Sequence, residues 1–199
     1  MSDLTTLRAL TGMADSAEPL SSSVLVMIDC QNTYREGVMK LPGVEEALHE
    51  ARALLDRART RGTPIIHIAH DAGPGSPYDV SADIGQIADV VAPQGEEPTI
   101  VKNYPSSFVK TDLHERLQAI GREHLILAGF MTHMCVSSTA RDAFHHGYRV
   151  TVVNKATATR ALPSASGEII PARTLHAASL SAMADLFAVV VDGADDIAS

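Results

Sequence analysis

Six short apolar runs are spaced along the chain, and most of the stretches between them repeat their apolar residues at helical intervals. The runs are 24–28 (VLVMI), 64–69 (PIIHIA), 99–101 (TIV), 124–128 (HLILA), 149–154 (RVTVVN) and 188–191 (AVVV). A strand with one face in water alternates apolar and polar residues. A run that is apolar at nearly every position is covered on both faces, as in a parallel sheet. Such runs alternating with helices predict a doubly wound α/β fold, a six-stranded parallel sheet with helices on both faces and a Rossmann-like layout. Its crossovers are expected to be right-handed, and its ligands to bind beyond the carboxyl ends of the strands.

The helices are legible from their caps and stripes. Pro42-Gly43 opens one with Val44, Ala47, Leu48, Ala51, Leu54, Leu55 and Ala58 on a single face, and Gly62 stops it. A second runs from Thr111-Asp112 to Gly121, a third over 135–146 before Gly147, and a fourth over 171–186. Leu4, Leu7 and Leu10 predict a short helix lying on the body or on a partner subunit. Two polar connections, 71–98 and 155–167, carry little periodicity. Long loops of this kind often hold binding function.

The 199 residues fit one domain, 1–199, with 1–22 as an N-terminal lead segment. Lys and Arg number 16 against 24 Asp and Glu, a net charge of −8 that argues against a nucleic-acid partner. No apolar run reaches the roughly 18–20 residues of a membrane span, and the first residues lack a secretory pattern. Two distant cysteines, Cys30 and Cys135, make no disulfide framework, so a cytoplasmic protein with reduced thiols is expected.

Three polar residues stand where apolar runs end. Asp29 follows the first run, Lys102 the third, and Cys135 lies one short turn beyond the fourth, at the start of a helix. All three belong on the carboxyl edge of the sheet. A free thiol is mostly protonated at neutral pH, with a pKa of about 8.5. A helix N-terminus and a neighbouring cation are expected to favour the thiolate, and an adjacent carboxylate can accept its proton.

The surrounding segments carry a resemblance. VLVMIDCQNTY around Asp29, VKNYPSSF around Lys102 and GFMTHMCVSSTARDAFHHGYRVTVV around Cys135 resemble, in order, the signatures of the isochorismatase-like cysteine hydrolases. The likeness spans roughly 24–191. It implies an Asp29-Lys102-Cys135 triad on a six-stranded parallel sheet and a non-proline cis peptide at Phe130–Met131. That peptide would turn the Met131 N–H toward the point addressed by the Cys135 N–H, giving an oxyanion hole. The implied chemistry is hydrolysis of an amide, ureido, carbamoyl or lactam C–N bond in a small molecule, through a thioester and without a cofactor. A dimer or larger homo-oligomer is also implied.

Departures from the family pattern narrow the reading. Nicotinamidase-like members carry an Asp-x-His pair and a further His that bind a metal after the second strand. Here that region reads HIAHDAGPGSPYD, so no metal is expected. His67 lies inside the strand and reads as a core histidine, whereas His70 at its end can face the site. Isochorismatases proper, which cleave a vinyl ether, generally lack the cysteine. Vinyl-ether hydrolysis and a non-catalytic binding role are the alternatives. Some members carry an appended carrier-protein domain; with the chain ending at Ser199, none is expected here.

Gln31, Asn32, Tyr34, Tyr104, Phe108, Phe130 and Thr132 flank the triad and are candidates for the substrate pocket. His133 lies too near Cys135 in sequence for both side chains to aim at one proton readily. His145-His146 reads as a helix C-terminus. Cys30 reads as a packing residue, Glu45, Glu46, Arg57, Arg59 and Arg61 as solvated helix surface, and 192–196 as an acidic solvated tail.

Overall fold

The structure, a computed structural model, describes residues 4–199; the first three residues of the expected lead segment lie outside it. A four-residue helix, α1 (Leu7–Leu10), precedes β1 (Ser23–Ile28), α2 (Val44–Arg61), β2 (Ile65–His70), β3 (Thr99–Lys102) and α3 (Leu113–Ile120). Then follow β4 (His124–Phe130), α4 (Ser137–His145), β5 (Arg149–Ala158), the short pair β6 (Leu162–Pro163) and β7 (Ile169–Ile170), α5 (Ala172–Ala184) and β8 (Val189–Val191). Six strands form one parallel sheet in the order β3-β2-β1-β4-β5-β8. The chain winds outward from β1 through β2 to β3, then returns to place β4 on the other side of β1. The gap between the ends of β1 and β4 is therefore the topological switch point, where open α/β sheets bind ligands.

Side chains alternate across each strand and build a core on both faces. Leu25 and Met27 of β1 pack with Leu48, Leu54 and Leu55 of α2. Val24, Val26 and Ile28 pack on the opposite face with Leu113, Leu117, Val136 and Met183. Burying a leucine of this kind contributes about 1.5–3 kcal/mol. Helix α2 ends where Gly62, at φ +64°, sends its N–H to the carbonyls of Ala58 and Arg59. Glu45 and Glu46 in its first turn and Arg59 and Arg61 in its last complement the helix dipole.

Three sequence expectations change. The fifth strand continues past residue 154 to Ala158: β4 advances from Leu127 to Gly129 while β5 advances from Val152 to Thr157, and pairing then resumes as far as Phe130 with Ala158. The connection 155–167 thus supplies the end of a strand, and the antiparallel pair β6–β7 follows it. The 192–196 segment is not a free tail. Ala194 and Ile197 are buried, their carbonyls accept from the Arg57 guanidinium, and Asp192 pairs with Lys155 at 2.5 Å. Arg57 and Arg59 are accordingly not mere solvated surface; Arg59 holds Glu97 at 2.8 Å.

Candidate active site

The sheet brings Asp29, Lys102 and Cys135 to one point. Asp29 leaves β1 at φ +50°, in the left-handed region that Asp tolerates better than most residues. Its N–H still donates to Ile68 of β2 (3.0 Å). Gly129 on β4 runs beside this turn at φ +118°, and a Cβ there would sit 1.9 Å from the Ile28 carbonyl oxygen. Only glycine lets the two strands approach so closely. After the cis Phe130–Met131 peptide, the chain makes a single π-helical turn, Thr132–Val136, before α4 begins. Cys135 lies within that turn and is not the first residue of α4, a correction to its expected place. Such turns occur frequently at functional sites.

Lys102 is the last residue of β3, and its ammonium lies 2.8 Å from Asp29 Oδ2, both side chains being fully buried. It also lies 3.4 Å from Cys135 Sγ and 3.2 Å from His70 Nδ1. The ion pair is off the line of a well-formed hydrogen bond, and neither carboxylate oxygen has an aligned donor. Burial pushes the Asp29 carboxyl up, against the opposing pull of Lys102. Burial, and then the Asp29 carboxylate, push the Cys135 thiol up to about 12, with Lys102 acting the other way. Desolvation thus opposes the thiolate that Lys102 favours, beside a carboxylate able to take the proton.

The flanking candidates separate by what they touch. Gln31 is buried and its amide is committed, donating to the carbonyls of His70 (2.9 Å) and Gly85 (2.6 Å) and accepting from the His70 N–H (2.9 Å). Asn32 donates to the Asp83 carbonyl at 2.9 Å. Tyr34 packs edge-on against both Phe130 and Tyr78, 5.5 and 5.9 Å between centroids. Thr132 bonds His176 Nδ1 at 2.9 Å, and His176 Nε2 reaches Asn154 at 2.7 Å. Tyr104 is exposed and accepts from Lys110 (3.0 Å), while Phe108 stacks on His146 and Tyr148 by the far end of α4. His133 bonds Thr159, and His67 lies in the core with Nε2 3.0 Å from Glu97.

Two further residues reach the site from the two connections that the sequence offered for binding, without being marked individually. Tyr78, from the 71–98 connection, stands 5.0 Å from the His70 ring and feels the charges of Cys135, Asp29 and Arg160. Arg160 follows β5 just beyond the Phe130–Ala158 pair. Its Nη1 touches Met39 Sδ at 3.8 Å, its Nε is buried without a partner, and no carboxylate among the described residues lies within ion-pair distance of it. A cavity of about 580 Å³ opens on the same sheet edge and shares Thr159 and His176 with the bonds just described. Among the described residues, no group of three or more His, Cys, Asp or Glu side chains converges as a metal site, and no helix is long and apolar enough to cross a membrane.

A doubly wound parallel sheet with a buried carboxylate, ammonium and thiol at its switch point defines a class of α/β hydrolytic domain. Residues 23–195 match the isochorismatase domain, and the chain belongs to the isochorismatase family. It is 32% identical, over 96% of this chain and 99% of the other, to the secreted isochorismatase effector Isc1 of Verticillium dahliae. It is 31% identical, over 68% of this chain and 72% of the other, to maleamate amidohydrolase of Pseudomonas putida. A crystal structure described as an isochorismatase from Pseudomonas putida KT2440 superimposes with a TM-score of 0.93 at 40% identity, covering 98% and 99% of the two chains.

Proposed function

We propose that this isochorismatase-family hydrolase cleaves a C–N bond of a small molecule through a Cys135 thioester. The observation that carries the reading is the contact of one buried ammonium with both a carboxylate and a thiol. Passing the thiol proton to Asp29 exchanges one anion for another beside Lys102, so the buried cluster keeps its net charge throughout. The thiolate attacks the carbonyl carbon, and the backbone N–H groups of Met131 and Cys135 hold the developing oxyanion. A donor of that type lowers a barrier by roughly 3–4 kcal/mol. Asp29 returns its proton to the leaving ammonia or amine, then takes one from water as that water hydrolyses the thioester. Maleamate amidohydrolase, by its name, is a relative that acts on an amide, which supports the bond type. The unpaired Arg160 guanidinium favours substrates bearing an anionic group away from the scissile bond. The leucine stripe at Leu4, Leu7 and Leu10 is exposed and supports assembly with a second copy.

The test is a panel of primary amides, ureido acids and lactams assayed for ammonia or amine release, with wild type set beside Cys135→Ala. Turnover by wild type in the presence of a chelator, and its loss in the variant, is the expected result. Equal turnover by the variant would exclude the mechanism. A vinyl ether cleaved after alkylation of the thiol would instead point to isochorismatase-type chemistry.

A further inference from the structure

Lys102 and its two partners do not sit on adjacent strands. The order β3-β2-β1-β4 puts the whole of β2 between Lys102 and Asp29, and the residue at the end of β2 is His70. His70 and Lys102 are register partners, so their side chains rise from the same face of the sheet, as opposed residues in parallel strands do. To reach Asp29 and Cys135, the Lys102 side chain must cross over His70. An ammonium has three N–H groups and no acceptor. Three acceptors surround this one: Asp29 Oδ2 at 2.8 Å, His70 Nδ1 at 3.2 Å and Cys135 Sγ at 3.4 Å. We propose that His70 is a positioning residue whose unprotonated Nδ1 takes one N–H of Lys102 and thereby holds the ammonium between the carboxylate and the sulfur.

The surroundings of His70 fit that role. Its backbone is held on both sides by the Gln31 amide, which accepts from its N–H and donates to its carbonyl, each at 2.9 Å. The Tyr78 ring closes against the imidazole edge-on at 5.0 Å. Gln31 lies two residues beyond Asp29, so the turn that carries the carboxylate also braces the end of β2. With Nδ1 accepting, the ring is neutral and carries its proton on Nε2. The charged groups around it are Lys102 from β3, Asp29 beyond β1 and the adjacent Asp71, and burial followed by Lys102 holds its pKa down. Protonating Nδ1 would turn the acceptor into a donor facing an ammonium, and Lys102 would lose its third anchor.

The inference rests on the reading of Cys135 and Asp29 as nucleophile and base, and the experiment separates the two. His70→Asn places an amide oxygen near the position of Nδ1, whereas His70→Gln places its amide where Nε2 stood, and His70→Leu removes the acceptor. Each variant is assayed for kcat and KM on the amide that wild type hydrolyses fastest in the panel. In parallel, alkylation of Cys135 by iodoacetamide is followed by mass spectrometry between pH 6 and 9, which needs no substrate. Leu and Gln are expected to lower kcat at least tenfold with KM within twofold, and to slow alkylation. Asn is expected to restore both to within threefold of wild type and to make the acid-side fall of kcat shallower, leaving the part set by Asp29. Equal values for Asn and Gln, or an effect confined to KM, would overturn the proposal, and that contrast survives even if the Leu variant does not fold. Full amide turnover by Cys135→Ala would overturn the nucleophile reading alone, with the alkylation series still deciding the role of His70.

Discussion

Cys30 and Cys135 lie on opposite sides of the same sheet, and both thiols are buried, at 1% and 5% exposure. Burial raises the pKa of both, so desolvation does not distinguish them. Their neighbours do. Cys30 packs with the α2 face of the core, and its sulfur has only a 3.8 Å approach to the Ile28 carbonyl. Cys135 joins the core of the other face but holds its sulfur 3.4 Å from an ammonium that itself lies 2.8 Å from a buried carboxylate. A buried thiol becomes a nucleophile when the fold supplies somewhere for its proton to go and a charge that stays in place while it leaves.

The largest effect expected from this contrast is on turnover. Cys135→Ala should reduce hydrolysis on the order of 10³-fold or more, because residues acting as one unit fail together. Cys30→Ala should leave kcat within about twofold and cost only about 1 kcal/mol as a small core truncation. Steady-state assays and urea unfolding of both variants compare the two directly. Lys102→Met sharpens the contrast from the side of the charge. It leaves Asp29 as an uncompensated buried carboxylate, so besides losing activity it should lose about 3–5 kcal/mol of stability in urea unfolding. A variant as stable as wild type would mean that the pair is not held as the site requires.

A smaller effect concerns specificity. If Arg160 serves the Cys135 face, Arg160→Met should raise KM about tenfold to a hundredfold for succinamate, the scale of a hydrogen bond to a charged group. KM for butyramide should not change. The last effect leaves activity untouched and lies in a trio built for stability, Glu97 with His67 and Arg59. Burial opposes ionisation of Glu97, but hydrogen bonds from Arg59, the Gln94 N–H and His67 bring its pKa down to about 2. A carboxyl depressed in the folded state stabilises above its unfolded pKa of about 4.3 and loses that contribution as pH falls through 2. Glu97→Gln should therefore cost up to about 3 kcal/mol at pH 7 and progressively less below pH 4, as read by thermal unfolding across pH. Burial holds the His67 and His70 pKa values down, which adds a loss of wild-type stability as pH drops below about 6.5, since the unfolded chain then binds more protons.

Much of this was legible in the sequence, for identifiable reasons. Asp29, Lys102 and Cys135 each interrupt or closely follow an apolar run, so local pattern placed them on one sheet edge. The same reasoning read His67 as a core residue, which its bond to Glu97 matches. What escaped was set by pairing between distant segments. Nothing near His70 says that its register partner is Lys102, and the 71–98 and 155–167 connections read only as loops suited to binding, without marking Tyr78 or Arg160 within them. Gln31 and Thr132 looked like pocket residues because they flank the triad, but their polar atoms bond Gly85, His70 and His176. The opposing effect of burial on the thiol was not legible, because no local pattern reports it. The docked 192–196 segment looked like a solvated tail because its acids are visible in sequence while the arginine beneath it, Arg57, is far away along the chain.

The central claim is that Cys135 carries the acyl group during turnover. Wild-type enzyme mixed with the best amide of the panel and quenched in acid within milliseconds to seconds should show, by intact mass and peptide mapping, an acyl adduct on Cys135 and none on Cys30. Its decay should match the steady-state rate. Turnover with no adduct at any quench time, or with the adduct on Cys30, would contradict the account.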